Sequence, residues 1–305
     1  MSSMTPFERV SVMTHIKSMK LGRYSWLGIS YATVLTAFYV LMFVVPFGTA
    51  IWLSFHNWDY LQTPVFVGMR NFTRLLSDSG FWSAVKVTAA FSFTEVVIAI
   101  SLALLLAFAL SHLPAISQHS LLFIYNLPVV MPVVASALLW KWLYKPHGGA
   151  INALLEVLGV ASQPFLYSRE QALWCITTMV VWAFLGNTSV VLLAGINEVP
   201  VSILEAAKLD GANVWQSFRH VTLPMIQPVL AYQVVSSIIG TVQMFAPFQL
   251  MGGPGHSTRT LSLYTYELGF EVLDLGYGAA VSIAMFILLL LATIFELRRR
   301  MASWQ

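Results

Sequence analysis

Three sets of residues in this chain have types and spacings that could do chemistry. The first runs Glu205, Ala206, Ala207, then Asp210 and Gly211, and ends at Leu223 and Pro224. Two alanines give a helix a thin face, and a carboxylate beside that face can pair with a basic group on another protein. This is docking chemistry. Pro200 and Ser202 suit the opening of a short helix, Gly211 the left-handed turn that stops it, and Pro224 the first turn of the next helix. Ser202 and Glu205 also have the S-x-x-E spacing of a capping box, in which Glu205 would satisfy its own helix N-terminus. The two roles are compatible.

The second set centres on Glu95, in the middle of an apolar stretch where an ionised acid costs about 3 kcal/mol on insertion scales. Thr88, Ser92, Glu95 and Ala99 share one helical face by their spacing. Glu95 either holds helices together as a hydrogen-bonded or protonated acid, or borders a solute pathway or a partner. In the third set, Gln233, Ser236, Gly240, Gln243 and Pro247 repeat at three and four residues and so predict one side of a helix. Their amides and hydroxyls match what a polyhydroxy solute requires, and small residues at this spacing also make helix-packing faces. Asn187, Thr188 and Ser189 form a smaller polar patch.

Other chemistries lack residues. The seven histidines are scattered without metal-ligand spacing, and a single cysteine, Cys175, excludes disulfides and multi-cysteine metal sites. No nucleophile and base pair or acid pair of an enzyme stands out. There is no G-x-x-x-x-G-K-S/T loop, so any ATP-driven work needs the nucleotide on another chain. The sixteen basic residues form no run beyond Arg298 to Arg300, which argues against nucleic acid.

The elements that position these residues follow from composition. Of 305 residues, 58% are hydrophobic and only 10% charged, with mean hydropathy +0.75, whereas soluble domains carry about 25% charged residues. A bilayer core about 30 Å thick takes about 20 apolar helical residues to cross. Six stretches reach that length: Leu27 to Leu53, Val85 to Leu110, Leu121 to Leu143, Leu173 to Ile196, Met225 to Leu250, and Gly278 to Leu297. The expectation is an all-α integral membrane protein of six transmembrane helices, without a cleaved leader. Arg9, Lys17, Lys20 and Arg23 precede the first span and three arginines follow the last, so the positive-inside rule places both termini in the cytoplasm. The domain reading is a cytoplasmic segment 1–26, a membrane domain 27–297 with its cytoplasmic loop at 197–224, and a tail 298–305. Gly148 to Gly159, with Ile151, Leu154, Leu155 and Leu158 at helical spacing, predicts a short interfacial helix on the outer side.

At the 197–224 loop the sequence resembles the membrane subunits of prokaryotic binding-protein-dependent ABC importers. Their E-A-A, D-G and L-P signature falls on Glu205-Ala206-Ala207, Asp210-Gly211 and Leu223-Pro224, with Val221 in place of the usual isoleucine. More of the chain is similar to the sugar-permease branch: Val67-Gly68, Asn71-Phe72, Phe81-Trp82, Leu127-Pro128, Trp140-Lys141-Trp142, Gly149, Ile151, Asn152, Gly252-Gly253-Pro254 and Gly276 to Ala280, in that order. The resemblance implies a type I importer permease in a prokaryotic plasma membrane, the inner one where there are two. It also implies a second related permease subunit, two ATP-binding subunits that hold ATP and magnesium, an extracytoplasmic solute-binding protein and a carbohydrate substrate. Glu205 would face a basic residue of the ATPase, Ala206 and Ala207 would pack, and Gly211 would make the bend. Glu95, Asn187, Gln233, Ser236, Gly240 and Gln243 are the expected pathway residues, and this chain itself carries neither a cofactor nor a metal. A self-sufficient ion- or proton-coupled carrier, with Glu95 as the titrating group, is the alternative; the lack of an internal repeat weakens it.

Overall fold

The computed structural model describes residues 21–302. The expected cytoplasmic segment 1–26 therefore lies outside the described residues up to Lys20, as does the end of the tail from 303. The chain forms two compact units that meet in sequence between Trp52 and Leu53.

The first unit is helical. Helix α1 (Leu21–Tyr39) runs through a π turn at Val40–Val44 into α2 (Val45–Ser54). The π turn has a local cause: Pro46 has no N–H to give, and the turn before it widens so that the Val45 N–H reaches the Val40 carbonyl, five residues back. Gly28–Ser54 is one apolar span of 27 residues, close to the expected Leu27 to Leu53.

The second unit opens with a hairpin of two-residue strands, β1 (His56–Asn57) and β2 (Val65–Phe66), antiparallel with His56 opposite Phe66. Hydropathy alone gave no sign of it. Asn71 on α3 (Arg70–Ser77) anchors it, donating from Nδ2 to the carbonyls of Ser54 and His56 at 2.9 Å each. Helix α4 (Ser79–Ser111) is 33 residues long and capped by Asp78, whose carboxylate accepts from the Gly80 N–H at 2.8 Å. Ala99, Ala103 and Ala107 form a small-residue row, buried where α4 packs against α8 (Ala172–Asn197). Removing side-chain bulk at every fourth residue lets two helices approach closely.

The third expected span is broken. α5 (Ala115–Val130) and α6 (Val133–Leu143) meet at 91°. Pro132 forces the preceding Met131 into an extended conformation (φ −75°, ψ 132°), which ends α5. The 148–159 segment forms α7 (Ala150–Val157), as its spacing predicted. Asn152 on α7 is buried and closes the following loop, donating to Gln163 O at 2.9 Å while accepting from Gln163 N at 2.8 Å.

After α8 come α9 (Val201–Leu209), α10 (Val214–Ser217), a second π turn at Phe218–Thr222 and α11 (Leu223–Met225), then α12 (Gln227–Gln243) after a 68° bend. The second π turn repeats the logic of the first, since the Leu223 N–H bonds Phe218 O just before Pro224. α12 stops at Gln243 rather than continuing to Leu250, because Met244 is extended and Pro247 sits in the first turn of a separate α13 (Ala246–Met251). α14 (Leu261–Tyr266) and α15 (Leu275–Ala302) complete the chain. Among the described residues, four helices qualify as spans, or up to six with each bent pair counted as one. The unit has three apolar clusters, around Phe91, Ile176 and Phe248, around Ala107, Leu192 and Phe218, and around Phe81, Tyr277 and Val281. Helix α4 contributes to all three.

Candidate functional site: the Glu205 loop and the polar seam

The loop from Val201 to Met225 is built as a projecting knob. Helix α9 ends in a Schellman arrangement: the Gly211 N–H bonds Lys208 O and the Ala212 N–H bonds Ala207 O, both at 3.0 Å, with Gly211 at φ +84°. This is the left-handed stop predicted for Gly211. At the other end of α9 the structure corrects the capping-box reading. Pro200 occupies the cap position and no side chain caps the helix, so Glu205 is not engaged by its own N-terminus. The box forms one helix later, where Asn213 Oδ1 accepts from the Gln216 N–H at 2.9 Å and Gln216 Oε1 from the Asn213 N–H at 2.8 Å.

Glu205, Ala206 and Asp210 are exposed, and Leu209 beside them is 90% exposed. Leu223 is half-buried and Pro224 exposed. Pro224 stands before the bend rather than in the first turn of the fifth span; Pro228 takes that place.

The knob is tied to the membrane helices by aromatic packing. Phe218 is buried with its ring 4.3 Å from that of Phe108 near the end of α4, and Trp215 packs tilted against Phe218 at 5.6 Å and edge-on to Phe108 at 6.1 Å. Between α9 and the ends of α4 and α8 lies a cavity of about 560 Å³, lined by Phe108, His112, Leu204, Lys208 and Phe218. A helix resting over such a void has room to shift without displacing packed atoms.

Inside the bundle, Thr88, Ser92, Glu95 and Ala99 are all buried on the shared face that their spacing predicted. Thr88 Oγ1 accepts from the Leu261 N–H at 2.8 Å, and Ser92 Oγ lies 2.9 Å from Thr241 Oγ1 on α12. Glu95 is the exception: it is 4% exposed and its Oε2 has no hydrogen-bond partner.

The predicted stripe on the fifth span divides. Ser236, Gly240 and Gln243 share an exposed face with Tyr232. Gln233 instead points inward and donates from Nε2 to Thr188 Oγ1 on α8 at 3.2 Å. Pro247 lies beyond the helix end and is buried. The 187–189 patch divides in the same way, with Asn187 exposed and Thr188 and Ser189 buried. A spacing of three or four leaves a helical face about 100° wide, so residues at its two edges meet different neighbours.

A further cluster escaped the sequence reading. At the Ser79 end of α4, the hydroxyls of Tyr264 and Tyr277 both donate to Asp78 Oδ2 at 2.5 Å. Arg74 lies 3.9 Å above the Tyr277 ring and pairs with Asp274 at 2.6 Å, and Arg259 stacks on Tyr264 at 4.6 Å. Burial pushes the Asp78 carboxyl upward, but the two tyrosine hydroxyls and the N–H groups of Gly80 and Phe81 outweigh it and hold the group below its ordinary value. The same burial and the hydrogen bond to Asp78 push the Tyr264 hydroxyl up to about 12. No cluster of three His, Cys, Asp or Glu side chains able to hold a metal occurs among the described residues.

Residues 99–301 match the family model described as binding-protein-dependent transport system inner membrane component. The chain is 32% identical over 267 residues to the trehalose/maltose transport system permease protein MalF of Thermococcus litoralis, covering 85% of this chain and 88% of the other. It is 33% identical over 267 residues to the lactose transport system permease protein LacF of Rhizobium radiobacter, covering 84% and 87%. Its fold matches a subunit of a bacterial ABC transporter that imports the acidic polysaccharide alginate, with TM-score 0.78 and 22% identity over 91% of this chain and 96% of that one.

Proposed function

The chain belongs to the binding-protein-dependent transport system inner membrane components, and from that premise we propose that it is one membrane-spanning half of an ATP-driven carbohydrate importer. Both termini and the Glu205 loop lie in the cytoplasm of a prokaryotic cell, the membrane is the plasma (inner) membrane, and 251–277 is on the outer side. A second related permease subunit supplies the other half of the pore, two ATP-binding subunits hold ATP and magnesium, and an extracytoplasmic solute-binding protein delivers the sugar. This chain holds no nucleotide.

The observation that carries this reading is the knob itself: exposed Glu205 and Ala206 with half-buried Ala207 on a helix closed by Gly211, with Leu209 exposed beside them and Phe218 rooted in the core. When the ATPase closes on α9, the displacement passes through the Trp215–Phe218–Phe108 contacts to α4 and through the bend at Ile226 to α12. The exposed amides and hydroxyls of Asn187, Ser236 and Gln243 then offer a sugar donors and acceptors without charge, while Gln233 and Glu95 stand behind that surface.

The test is reconstitution with the partner subunits. Sugar-loaded binding protein stimulates ATP hydrolysis and uptake, and Glu205→Arg abolishes the stimulation while leaving membrane insertion intact. Uptake driven by a proton or sodium gradient through this chain alone would establish the carrier reading instead.

A further inference from the structure

A second cavity, of about 350 Å³, lies between α13, the loop 252–258 and the π turn at Glu267–Glu271, and none of the residues assigned to the pathway lines it. Its walls carry Gln249, His256, Arg259, Glu267 and Glu271, and Phe248 is buried at its base. We propose that this cavity is a saccharide subsite that holds one neutral pyranose ring at the outer mouth, an inference that rests on the carbohydrate reading above.

The polar groups are incompletely used. Arg259 and Glu267 are mostly buried, yet they meet only at 3.5 Å, and Arg259 Nε has no partner. The Gln249 amide has no side-chain hydrogen bond among the described residues. A guanidinium and a carboxylate held in loose contact keep spare donors and acceptors side by side. Sugar hydroxyls, which donate and accept at once, satisfy both with charge-assisted bonds. Glu267 and Glu271 balance the guanidiniums of Arg259 and of Arg169, which lies against Gly255, so the walls carry no net positive charge to draw an anionic sugar.

The wall is also preorganised. Gly255 (φ +60°) and His256 (φ +62°) are consecutive left-handed residues, and the Gly253 N–H donating to Thr258 Oγ1 at 2.7 Å holds the loop closed around them. A cavity of this volume falls in the small-ligand range, whereas a docking surface for a protein is broad and buries on the order of 800 Å² per partner.

The experiment uses the complete importer in proteoliposomes. His256 is exposed at the rim, and the single native cysteine, Cys175, is buried. In a His256→Cys complex, the rate of labelling by a membrane-impermeant maleimide is measured with maltose, trehalose, lactose or a uronic-acid disaccharide, without ATP or binding protein. A neutral disaccharide slows labelling and the uronic acid does not. Glu271→Gln or Gln249→Ala raises the protecting concentration about tenfold, the loss of one hydrogen bond to a charged or amide group. Two outcomes overturn the subsite: no protection by any of the three neutral sugars, or equal protection by the acid. ATP-driven uptake is measured separately in the unmodified complex. Sugar uptake without protection removes the subsite alone, and absence of uptake for every sugar-loaded binding protein removes the carbohydrate reading beneath it.

Discussion

The Tyr277 hydroxyl donates to Asp78 Oδ2 at 2.5 Å, joining the first turn of the last helix to the cap of α4 across 199 residues of sequence. Tyr264 uses the same oxygen, and the other carboxylate oxygen caps α4 through the Gly80 N–H. One carboxylate thus fastens three helices. Asp78→Ala strands two largely buried hydroxyls and removes a helix cap, at a cost of about 3 kcal/mol. Tyr277→Phe removes one donor and costs about 1 kcal/mol. Thermal denaturation in detergent should rank the two variants in that order.

The same carboxylate predicts an acid sensitivity. Its folded value lies below the ordinary 3.8, because the tyrosine and backbone donors overcome the upward push of burial. A depressed carboxylate contributes stability above its unfolded value and loses it as pH falls through the folded one. The melting-temperature gap between wild type and Asp78→Asn should therefore be constant near neutrality and shrink only below about pH 4. A gap that persists into stronger acid would show that the charge contributes nothing.

Gly211 separates folding from coupling. Its φ of +84° is left-handed, and a side chain there would meet open space. The cost of Gly211→Val is therefore backbone strain, about 1–2 kcal/mol, confined to an exposed turn. The variant should insert and assemble, yet binding-protein-stimulated ATPase activity and uptake should fall together. Normal stimulated activity would mean that the α9 stop does not position Glu205.

Two glycines on neighbouring helices should respond oppositely. A Cβ at Gly186 on α8 would fall on the Tyr125 carbonyl and within 2.8 Å of the Asn126 nitrogen, so the α5 and α8 backbones must separate. Gly186→Ala should destabilise by about 1–3 kcal/mol, as overpacking does. Gly240 on α12 has nothing within 4 Å of that position, so Gly240→Ala should stabilise by about 0.5–1 kcal/mol through helix propensity. The signs of the two melting shifts decide it.

These cases show what the sequence made legible. Apolar runs located the first, fourth and sixth spans to within a few residues, and the glycine at 211 announced its own turn, because length and backbone permission are local properties. Pro132 carried the 91° break locally as well, through the extended Met131 before it, but an unbroken hydrophobic run hid it. Gln233 was placed with Ser236 by spacing, and only packing against Thr188 shows that one step around the helix turns a side chain from surface to seam. The Asp78 cluster was illegible for another reason: its members are scattered from 74 to 277, and nothing local in Tyr277 says which carboxylate it will meet.

Glu95 offers the sharpest test of what the buried polar face does. Its Oε2 has no partner, and its neighbours on that face, Thr88 and Ser92, bond to Leu261 and Thr241 instead. Replacing the carboxyl by an amide of the same shape therefore breaks no hydrogen bond to Oε2, whereas Glu95→Ala leaves a cavity at a buried position and should cost about 2–4 kcal/mol. If ATP hydrolysis elsewhere drives transport, Glu95→Gln should fold, assemble and retain most ATP-dependent uptake, because no step requires this group to carry a proton. A self-sufficient carrier that titrates Glu95 would lose gradient-driven transport in the same variant. Uptake by wild type and Glu95→Gln, measured with ATP and with an imposed proton gradient, separates the two: loss of ATP-driven uptake in a stable, assembled Glu95→Gln complex would show that the acid takes part in moving the sugar.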